Sequence, residues 1–297
     1  MARAHSDLGG VLPVDKPAGP TSHDVVARAR RALGLRRIGH TGTLDPFASG
    51  LLLLCLGPAT RLAEYLTALP KTYRAVMRLG QTTDTDDLTG EVIGGAGEGA
   101  PLPTEAEVRA ALESLRGPIE QLPPLYSAKK VAGERMYAAA RRGEVPERTP
   151  VRVTIHRIEL LRYDAPDAEF EVECSSGTYI RAIARDVGDA LGVGGHLHAL
   201  RRTAIGAHRV ESAVPLDALD EAARAQAALI APLDAVAHLP RADVDEVQAG
   251  ALAMGRAVAA PPDLPEHGLV RVASPAGALL AIAEASAGVL RPKKVFA

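Results

Sequence analysis

The chain has 297 residues, of which 47% are hydrophobic and 24% charged, and its formal net charge is −2. This composition predicts a globular protein, not a disordered one, with room for one large domain and a small one. The longest apolar run, Leu51 to Leu56, is far shorter than the ~20 residues that a membrane-spanning helix needs, so we expect no membrane association. The polar segment before Gly10 lacks the apolar stretch of a secretory leader, which predicts a cytoplasmic protein.

The first predicted elements are a short strand, Val11 to Val14, and a helix that follows Thr21. Thr21 can cap this helix with Asp24 as the reciprocal partner, and Gly34 can end it. A glycine-containing loop at 39–46 then leads into the apolar run described above, which predicts a buried strand.

The middle of the chain predicts alternating strands separated by helices. Apolar residues alternate over 73–79 and again over 170–174, as expected for half-buried strands. Over 151–160 the alternation changes phase, which predicts a β-bulge. Thr104 begins a second capping box, and another helix is expected from about Thr178.

The last part of the chain predicts an excursion, a linker and a small domain. Residues 121–150 are basic and bounded by prolines, with a helix expected near 134–142, whereas 211–241 are acidic and rich in alanine. Short apolar runs separated by Gly and Pro then predict a small β-barrel. We therefore expect an α+β fold with a mixed, largely antiparallel sheet, flanking helices and loops, divided into domains 1–238 and 239–297.

Basic residues are concentrated in particular segments. Residues 24–44, 129–142, 196–209 and 291–294 are basic, whereas 211–246 are acidic. If the basic segments share one face, they form a phosphate-binding surface. The alternative is a set of solvated helix faces, and charge alone does not decide between the two.

Two cysteines and the absence of metal motifs bear on redox state and cofactors. Cys55 and Cys174 both fall in predicted strands, so we expect reduced thiols in the core, not a disulfide. No Cys/His spacing is typical of a zinc site, and we expect no metal.

Two segments carry candidate chemistry. Glycines at 39 and 42 allow a sharp bend and Pro46 extends Asp45, so the loop can present a carboxylate rigidly, although a plain turn has the same signals. Arg181 falls in the first turn of its predicted helix, where the dipole favours anions, so it needs an anionic partner. That partner is Asp45 or a phosphate; the alternative is a surface arginine lying over its own helix. A pair with Asp45 would keep that carboxylate ionised in a pocket, as a nucleophile requires.

Tyr73 stands at a loop–strand boundary in a chain with few aromatic residues. It is either a core residue or a platform on which a nucleobase stacks.

Short sequence motifs occur in order along nearly the whole chain. They are Val14-Asp15-Lys16-Pro17, Thr21-Ser22-His23-Asp24, Gly39-His40-Thr41-Gly42-Thr43-Leu44-Asp45-Pro46, Ala48-Ser49-Gly50, Lys71-Thr72-Tyr73, Leu79-Gly80-Gln81-Thr82-Thr83-Asp84-Thr85-Asp86, Pro123-Pro124-Leu125-Tyr126-Ser127-Ala128-Lys129-Lys130, Gly177-Thr178-Tyr179-Ile180-Arg181 and Leu200-Arg201-Arg202-Thr203. Together they resemble the TruB family of pseudouridine synthases, which act on uridine 55 of tRNA. Phe47 and Pro20 depart from the family's usual aliphatic residues at these positions.

The resemblance implies three catalytic residues. Asp45 would attack the target nucleoside at C6 of the base or C1′ of the ribose, or act first as a base at C2′. Tyr73 would stack on the flipped uracil and help to remove the C5 proton. Arg181 would pair with Asp45.

The resemblance also implies residues that bind RNA. Tyr179 and Leu200 would line the pocket, His40 would fill space vacated by flipped bases, and Lys16 would support the catalytic loop or touch RNA. Residues 121–150 would form a thumb that closes over the T-loop. Candidates for contact with the RNA backbone are Arg36, Arg37, Lys129, Lys130, Arg141, Arg142, Arg201 and Arg202.

The implied partner is tRNA, through its T-arm stem-loop, with no cofactor, no obligate protein partner and a monomeric state. The C-terminal barrel would be a PUA domain that binds RNA.

Three other functions fit parts of the pattern. The first is a related synthase guided by H/ACA RNA, against which the thumb segment argues. The second is an RNA chaperone without catalysis, which the set Asp45, Tyr73 and Arg181 disfavours. The third is a hydrolase with a carboxylate pair, for which no second carboxylate has a comparable context.

Overall fold

The computed structural model describes residues 9–97, 99–126 and 148–296, together with the backbone of 130–131 and 134–135. The chain divides into two compact units. Unit 1 comprises Met1–Pro46, Gly50–Thr67 and Gly206–Ala297, and unit 2 comprises Phe47–Ser49 and Ala68–Ile205.

The strands are β1 (Gly10–Lys16), β2 (Ile38–His40), β3 (Ser49–Leu56), β4 (Lys71–Leu79), β5 (Thr82–Thr83), β6 (Val92–Gly94), β7 (Gly117–Gln121), β8 (Lys130–Val131), β9 (Glu134–Arg135), β10 (Val151–Asp164), β11 (Asp167–Cys174), β12 (Gly195–Ile205), β13 (His208–Arg209), β14 (Val214–Pro215), β15 (Arg241–Asp243), β16 (Val258–Ala259), β17 (His267–Ala273), β18 (Leu279–Ser286) and β19 (Val289–Val295). The α-helices are α1 (Ser22–Leu33), α2 (Ala63–Thr67), α3 (Glu105–Glu113), α4 (Ile180–Ala190), α5 (Ala222–Ala227), α6 (Pro232–Ala235) and α7 (Glu246–Ala253). Short 3₁₀ turns occupy Gly57–Leu62, Val210–Ser212 and Leu216–Asp220.

The apolar strand β3 forms the centre of the sheet in unit 1. It pairs antiparallel with β1 and with β2, and β1 pairs in parallel with β14. Residues Leu51 to Leu56 are all 0% exposed, as expected for a strand without a polar face. The prediction of a buried strand is confirmed.

Helix α1 has the capping residues that its sequence predicts. Thr21 Oγ1 accepts a hydrogen bond from Asp24 N at 3.1 Å, and the Asp24 carboxylate accepts one from Thr21 N at 2.8 Å. Gly34 ends the helix with a left-handed φ of 64°, which glycine adopts at little cost. The buried face, which includes Val25 and Ala29, packs in one core with residues of β1 and β3.

Unit 2 contains an antiparallel sheet with strand order β12-β4-β11-β10-β7. Helix α4 packs against β12. In the β10–β11 pair the register shifts between Ile155 and Arg157, at the position where the apolar alternation changes phase. The predicted bulge is therefore confirmed, and so is a mixed, largely antiparallel fold.

The C-terminal residues form a separate sheet with order β15-β17-β18-β19-β16. Val270, Val272 and Leu290 lie in its core, together with Leu252 from α7. The small β-barrel that the sequence predicts is present as this five-stranded sheet. Helix α7, which begins with a capping box at Asp245, is an element that the Gly/Pro-punctuated pattern did not predict.

Three further predictions concern a helix near 134–142, the two cysteines and membrane-spanning helices. Glu134 and Arg135 lie in β9, so the prediction of a helix is wrong for these two residues, and 136–142 lie outside the described residues. Cys55 and Cys174 are free and buried in β3 and β11, as predicted. None of the helices in the described residues combines the length and the apolar character that a bilayer crossing requires.

Candidate active site

Asp45 lies in unit 1, in the loop between β2 and β3. The loop bends at Gly42, whose φ of 125° is strained for any residue with a side chain. Ser22, the first residue of α1, contacts the loop just before Asp45. Its Oγ accepts a hydrogen bond from Leu44 N at 2.9 Å and donates one to the Leu44 carbonyl oxygen at 3.2 Å. Both residues are buried, so these bonds are shielded from water.

The residue after Asp45 is fixed as well. The Pro46 carbonyl oxygen accepts hydrogen bonds from Gly19 N at 2.8 Å and from Lys16 Nζ at 3.3 Å. Lys16 is 0% exposed, and its Nζ also donates to the carbonyl oxygens of Pro17 at 2.8 Å and of Pro20 at 2.9 Å. A buried ammonium needs such acceptors because an unpaired charge in the interior is costly.

These contacts place Asp45 between two immobilised neighbours. Leu44 is bound through both of its backbone groups and Pro46 through its carbonyl oxygen. The backbone on both sides of Asp45 is therefore held in place, which restricts the positions that its carboxylate can reach.

Arg181 lies in unit 2, in the first turn of α4, as predicted. It is 6% exposed. Its Nη1 donates to the Thr85 carbonyl oxygen at 3.0 Å and to Asp87 Oδ2 at 3.2 Å, and its Nη2 donates to the Tyr126 carbonyl oxygen at 2.9 Å. Asp87 therefore supplies an anionic partner that the sequence did not predict. The pairing of Arg181 with Asp45 stays a prediction.

Asp87 is itself held in a dense set of hydrogen bonds. Its Oδ1 accepts from Thr85 Oγ1 at 2.8 Å, from Thr89 N at 2.9 Å and from Thr89 Oγ1 at 2.5 Å. Alternating Thr and Asp residues favour such local side-chain bonds, so the run after Gln81 was the signal that could have identified Asp87.

Gln121 is a second residue that the sequence did not reveal. It is 0% exposed, and its amide binds both backbone groups of Tyr179: Oε1 accepts from Tyr179 N at 2.7 Å, and Nε2 donates to the Tyr179 carbonyl oxygen at 3.0 Å. Tyr179 is the N-cap of α4 and provides no side-chain cap of its own. Gln121 therefore fixes the end of the helix that carries Arg181.

Tyr73 and Leu200 lie on adjacent strands of the unit 2 sheet. Tyr73 in β4 is 9% exposed and Leu200 in β12 is 8% exposed. Tyr73 stands opposite Arg202 in the β4–β12 register. Both side chains are buried, and their roles in stacking and in lining a pocket stay predictions.

Two buried cations lie close to Tyr73 in the sheet. Lys71 precedes it by two residues on the same strand face, and Arg202 is 1% exposed. Burial, together with the positive charge of Arg202, lowers the pKa of Lys71 to about 8. Lys71 therefore loses its proton at a lower pH than an exposed lysine does. Arg202 is too buried to contact a phosphate at the surface.

Comparison with known families decides the classification. The chain matches the TruB family pseudouridylate synthase N-terminal domain over residues 30–180 and the tRNA pseudouridylate synthase B C-terminal domain over 181–237. Residues 239–297 match a third family model, tRNA pseudouridine synthase II, C terminal. The chain belongs to the TruB family.

Similar TruB proteins are found in several bacteria. A protein of Thiobacillus denitrificans named tRNA pseudouridine synthase B is 44% identical over 299 residues, which cover 100% of this chain and 99% of that protein. A protein of the same name from Mycobacterium sp. is 46% identical over 298 residues, covering 96% of this chain and 97% of the relative.

Solved structures of similar fold come from H/ACA ribonucleoproteins. An H/ACA RNP bound to a substrate RNA containing 2′-deoxyuridine contains a chain that is 26% identical, with a TM-score of 0.75, covering 100% of this chain and 87% of the other. The archaeal box H/ACA sRNP Nop10–Cbf5 complex contains one that is 28% identical, with a TM-score of 0.73, covering 100% and 88%. The expected pseudouridine synthase fold is thereby confirmed.

The predicted RNA-backbone residues of this TruB chain occupy different environments. Arg36 and Arg37 are exposed between α1 and β2. Arg201 is half-buried, and its Nη1 donates to Ser49 Oγ at 3.5 Å. Lys129, Arg141 and Arg142, and the side chain of Lys130, lie outside the described residues. His40 is half-buried, with its ring edge-on to His23 at a centroid distance of 5.5 Å.

Proposed function

We propose that this chain isomerises uridine to pseudouridine at position 55, in the T-arm loop of tRNA, with Asp45 as the essential carboxylate. The observation that supports the proposal is the immobilised loop: Leu44 and Pro46 are both bound through backbone groups, so the backbone that carries Asp45 is held on both sides. A reaction at one nucleoside of a folded RNA requires a reactive group with a fixed direction.

The isomerisation can be carried out by a carboxylate without a redox partner or a co-substrate. The N1–C1′ glycosidic bond breaks, the uracil turns, a C5–C1′ bond forms, and the C5 proton is lost to a base while N1 gains a proton. No atom other than these protons is exchanged and no electrons are gained or lost, so no redox partner or co-substrate is required. Asp45 acts at C6, at C1′, or first at the C2′ proton, and Tyr73 is the candidate to help remove the C5 proton.

Arg181 supports this reaction through charge. A guanidinium close to a carboxylate favours the ionised form, which is the form that attacks. Arg181 is 6% exposed and is oriented by three acceptors of unit 2. We therefore propose that Arg181 stabilises the ionised carboxylate of Asp45, and that Asp45 in turn acts on the nucleoside.

The target base must leave its stack before a carboxylate can reach it. This costs a few kcal/mol, which basic contacts with phosphates and stacking on an aromatic ring can offset. Tyr73 is our candidate for the ring, Tyr179 and Leu200 for the pocket wall, and Arg36 and Arg37 for phosphate contacts.

The C-terminal residues are proposed to bind RNA beyond the T-arm. We propose domains 1–238 and 239–297, of which the second is a PUA-like module built on the sheet β15-β17-β18-β19-β16. A monomer in the cytoplasm, acting without a protein partner, is the corresponding proposal for the whole chain.

A second candidate function is isomerisation guided by a separate RNA. The likeness to chains from H/ACA ribonucleoproteins favours it. An enzyme of that kind needs its guide RNA and protein partners to act. A stand-alone enzyme modifies tRNA when nothing else is present.

One experiment tests both candidates. The purified chain is incubated with unmodified tRNA, without guide RNA or other protein, and pseudouridine is mapped at single-nucleotide resolution. We expect modification at position 55 only, and none with Asp45→Asn, which should still bind tRNA. Modification that depends on a guide RNA would favour the second candidate, and turnover by Asp45→Asn would contradict the assignment of the carboxylate.

A further inference from the structure

Arg185 contacts its surroundings much as Arg181 does, one helical turn later. Residues four apart lie on the same face of an α-helix. Arg185 Nη1 donates to Asp86 Oδ2 at 2.8 Å, and its Nη2 donates to the Leu122 carbonyl oxygen at 2.9 Å. The side chains of Arg185 and Asp86 are 14% and 11% exposed, so the ion pair is largely shielded from water.

The two arginines draw their acceptors from the same two segments of unit 2. Residues 85–87 supply two acceptors to Arg181 and the Asp86 carboxylate to Arg185. Residues 121–126 supply one carbonyl oxygen to each arginine. A shift of either segment therefore displaces acceptors of both guanidinium groups.

The segment 121–126 is also bound to the start of α4. Gln121, its first residue, binds the backbone of Tyr179 in both directions. The segment thus contacts α4 at the N-cap, at Arg181 and at Arg185, along about two turns of the helix. These contacts fix both the helix end and the acceptors at which the Arg181 guanidinium is aimed.

The charge of Arg185 persists in this buried position. Burial by itself lowers the pKa of Arg185, but the carboxylates of Asp86 and Asp186 outweigh it and raise the pKa above its usual value. Asp186 Oδ1 accepts from Arg185 Nε at 2.9 Å and from its Nη2 at 2.8 Å. Asp86 has a left-handed φ of 60°, which is uncommon for a residue with a side chain and is retained because its contacts enforce it.

We propose that Arg185 is a positioning residue for the isomerisation. It fixes the segments 85–87 and 121–126, and these orient the Arg181 guanidinium; Arg185 itself does not touch the nucleoside. The proposal rests on the proposed function, because it assigns Arg181 to that reaction. A merely structural Arg185 would affect stability alone, whereas a positioning residue affects the rate in a way that depends on Arg181.

The first test is the substitution Arg185→Lys, with Arg185→Gln as a second variant. Lysine keeps the charge but lacks the planar fork that reaches Asp86 and Leu122 together. We expect the single-turnover rate of pseudouridine formation to fall at least about tenfold, since small displacements of a reacting group can cost about 100-fold. The dissociation constant for tRNA should stay within about twofold. Arg162→Lys, at an exposed ion pair with Asp164, is the matched control and should leave both quantities unchanged.

The second test combines Arg185→Lys with Arg181→Lys in a double-mutant cycle. If Arg185 acts through Arg181, its substitution should cost less than about threefold in the Arg181→Lys background. Equal losses in both backgrounds, or a wild-type rate for a folded Arg185→Lys, would overturn the proposal. If the Arg185 variants do not fold, Gln121→Met is used in the same cycle, and additive losses there would overturn it equally. A wild-type chain that forms no pseudouridine would refute the proposed function instead.

Discussion

The substitution Ser22→Ala tests whether the immobilised loop matters for catalysis. It removes one oxygen atom from a residue that is 1% exposed and that binds both backbone groups of Leu44, which is 3% exposed. Each buried group left without its partner costs ~1–3 kcal/mol, and the better helix propensity of alanine returns only ~0.5 kcal/mol. We therefore expect the free energy of unfolding to fall by about 2–5 kcal/mol.

The effect of Ser22→Ala on the reaction should be separable from its effect on stability. Leu44 directly precedes Asp45, so a loosened Leu44 allows the carboxylate to leave its productive direction. We expect the single-turnover rate to fall by about 10- to 100-fold, with tRNA affinity unchanged because Ser22 is buried. The rate is measured by tritium release from tRNA labelled at uracil C5, well below the unfolding temperature, and affinity by filter binding.

Ser114→Ala is the matched control for Ser22→Ala. Ser114 also donates from its Oγ to a backbone carbonyl oxygen, that of Ala111 at 2.7 Å, but it is exposed at the end of α3. It should have the wild-type rate. A Ser22→Ala variant that is clearly destabilised but reacts at the wild-type rate would refute the claim that the loop must be immobilised.

Three further predictions concern other parts of the chain. Arg181→Lys should lower the single-turnover rate by about 100-fold or more with little change in tRNA affinity, because one ammonium cannot satisfy three separated acceptors; a loss of affinity alone would indicate a phosphate contact. Burial raises the pKa of Cys55 to about 12 and that of Cys174 to about 11. Iodoacetamide at pH 8 should therefore alkylate neither thiol in the folded protein and both thiols in denaturant, as measured by mass spectrometry. Rapid labelling of the native chain would contradict the burial of these thiols. Deleting the residues after Arg241 should weaken binding of full-length tRNA more than binding of a T-arm stem-loop, and equal effects in a binding titration would argue against the PUA-like module.

The features that could be predicted from the sequence depend on residues close together in the chain. The capping box of α1 involves Thr21 and Asp24, three residues apart, and the bulge in β10 is visible as a change in apolar alternation within one strand. The loop at Asp45 is similar, because glycine and proline restrict the backbone locally. Short-range rules of this kind need no knowledge of tertiary structure.

The features that could not be predicted join residues far apart in the chain. Asp87 meets Arg181 across 94 positions, and Gln121 meets Tyr179 across 58. The Thr/Asp run around Asp87 indicates a loop with local side-chain hydrogen bonds, but it does not indicate that Asp87 pairs with an arginine on a distant helix. For the same reason the sequence did not reveal that Arg202 is buried among the strands of unit 2 and not available at the surface.

The choice between lysine and arginine at the buried sites follows from the geometry of the acceptors. At Lys16, carbonyl oxygens of three residues converge on one Nζ atom, which suits a compact ammonium with three donors. At Arg181 and Arg185 the acceptors belong to two separate segments, and a planar fork can reach both at once. The bonds from Lys16 go to neutral carbonyl oxygens, which satisfy the donors without cancelling the charge. The two arginines are also paired with carboxylates, Arg181 with Asp87 and Arg185 with Asp86 and Asp186. Lys16 lies in the same unit as Asp45 and binds the carbonyl oxygen of Pro46, the next residue in the chain. A cation near a carboxylate favours its ionised form, and this is the form that the proposed reaction at Asp45 requires.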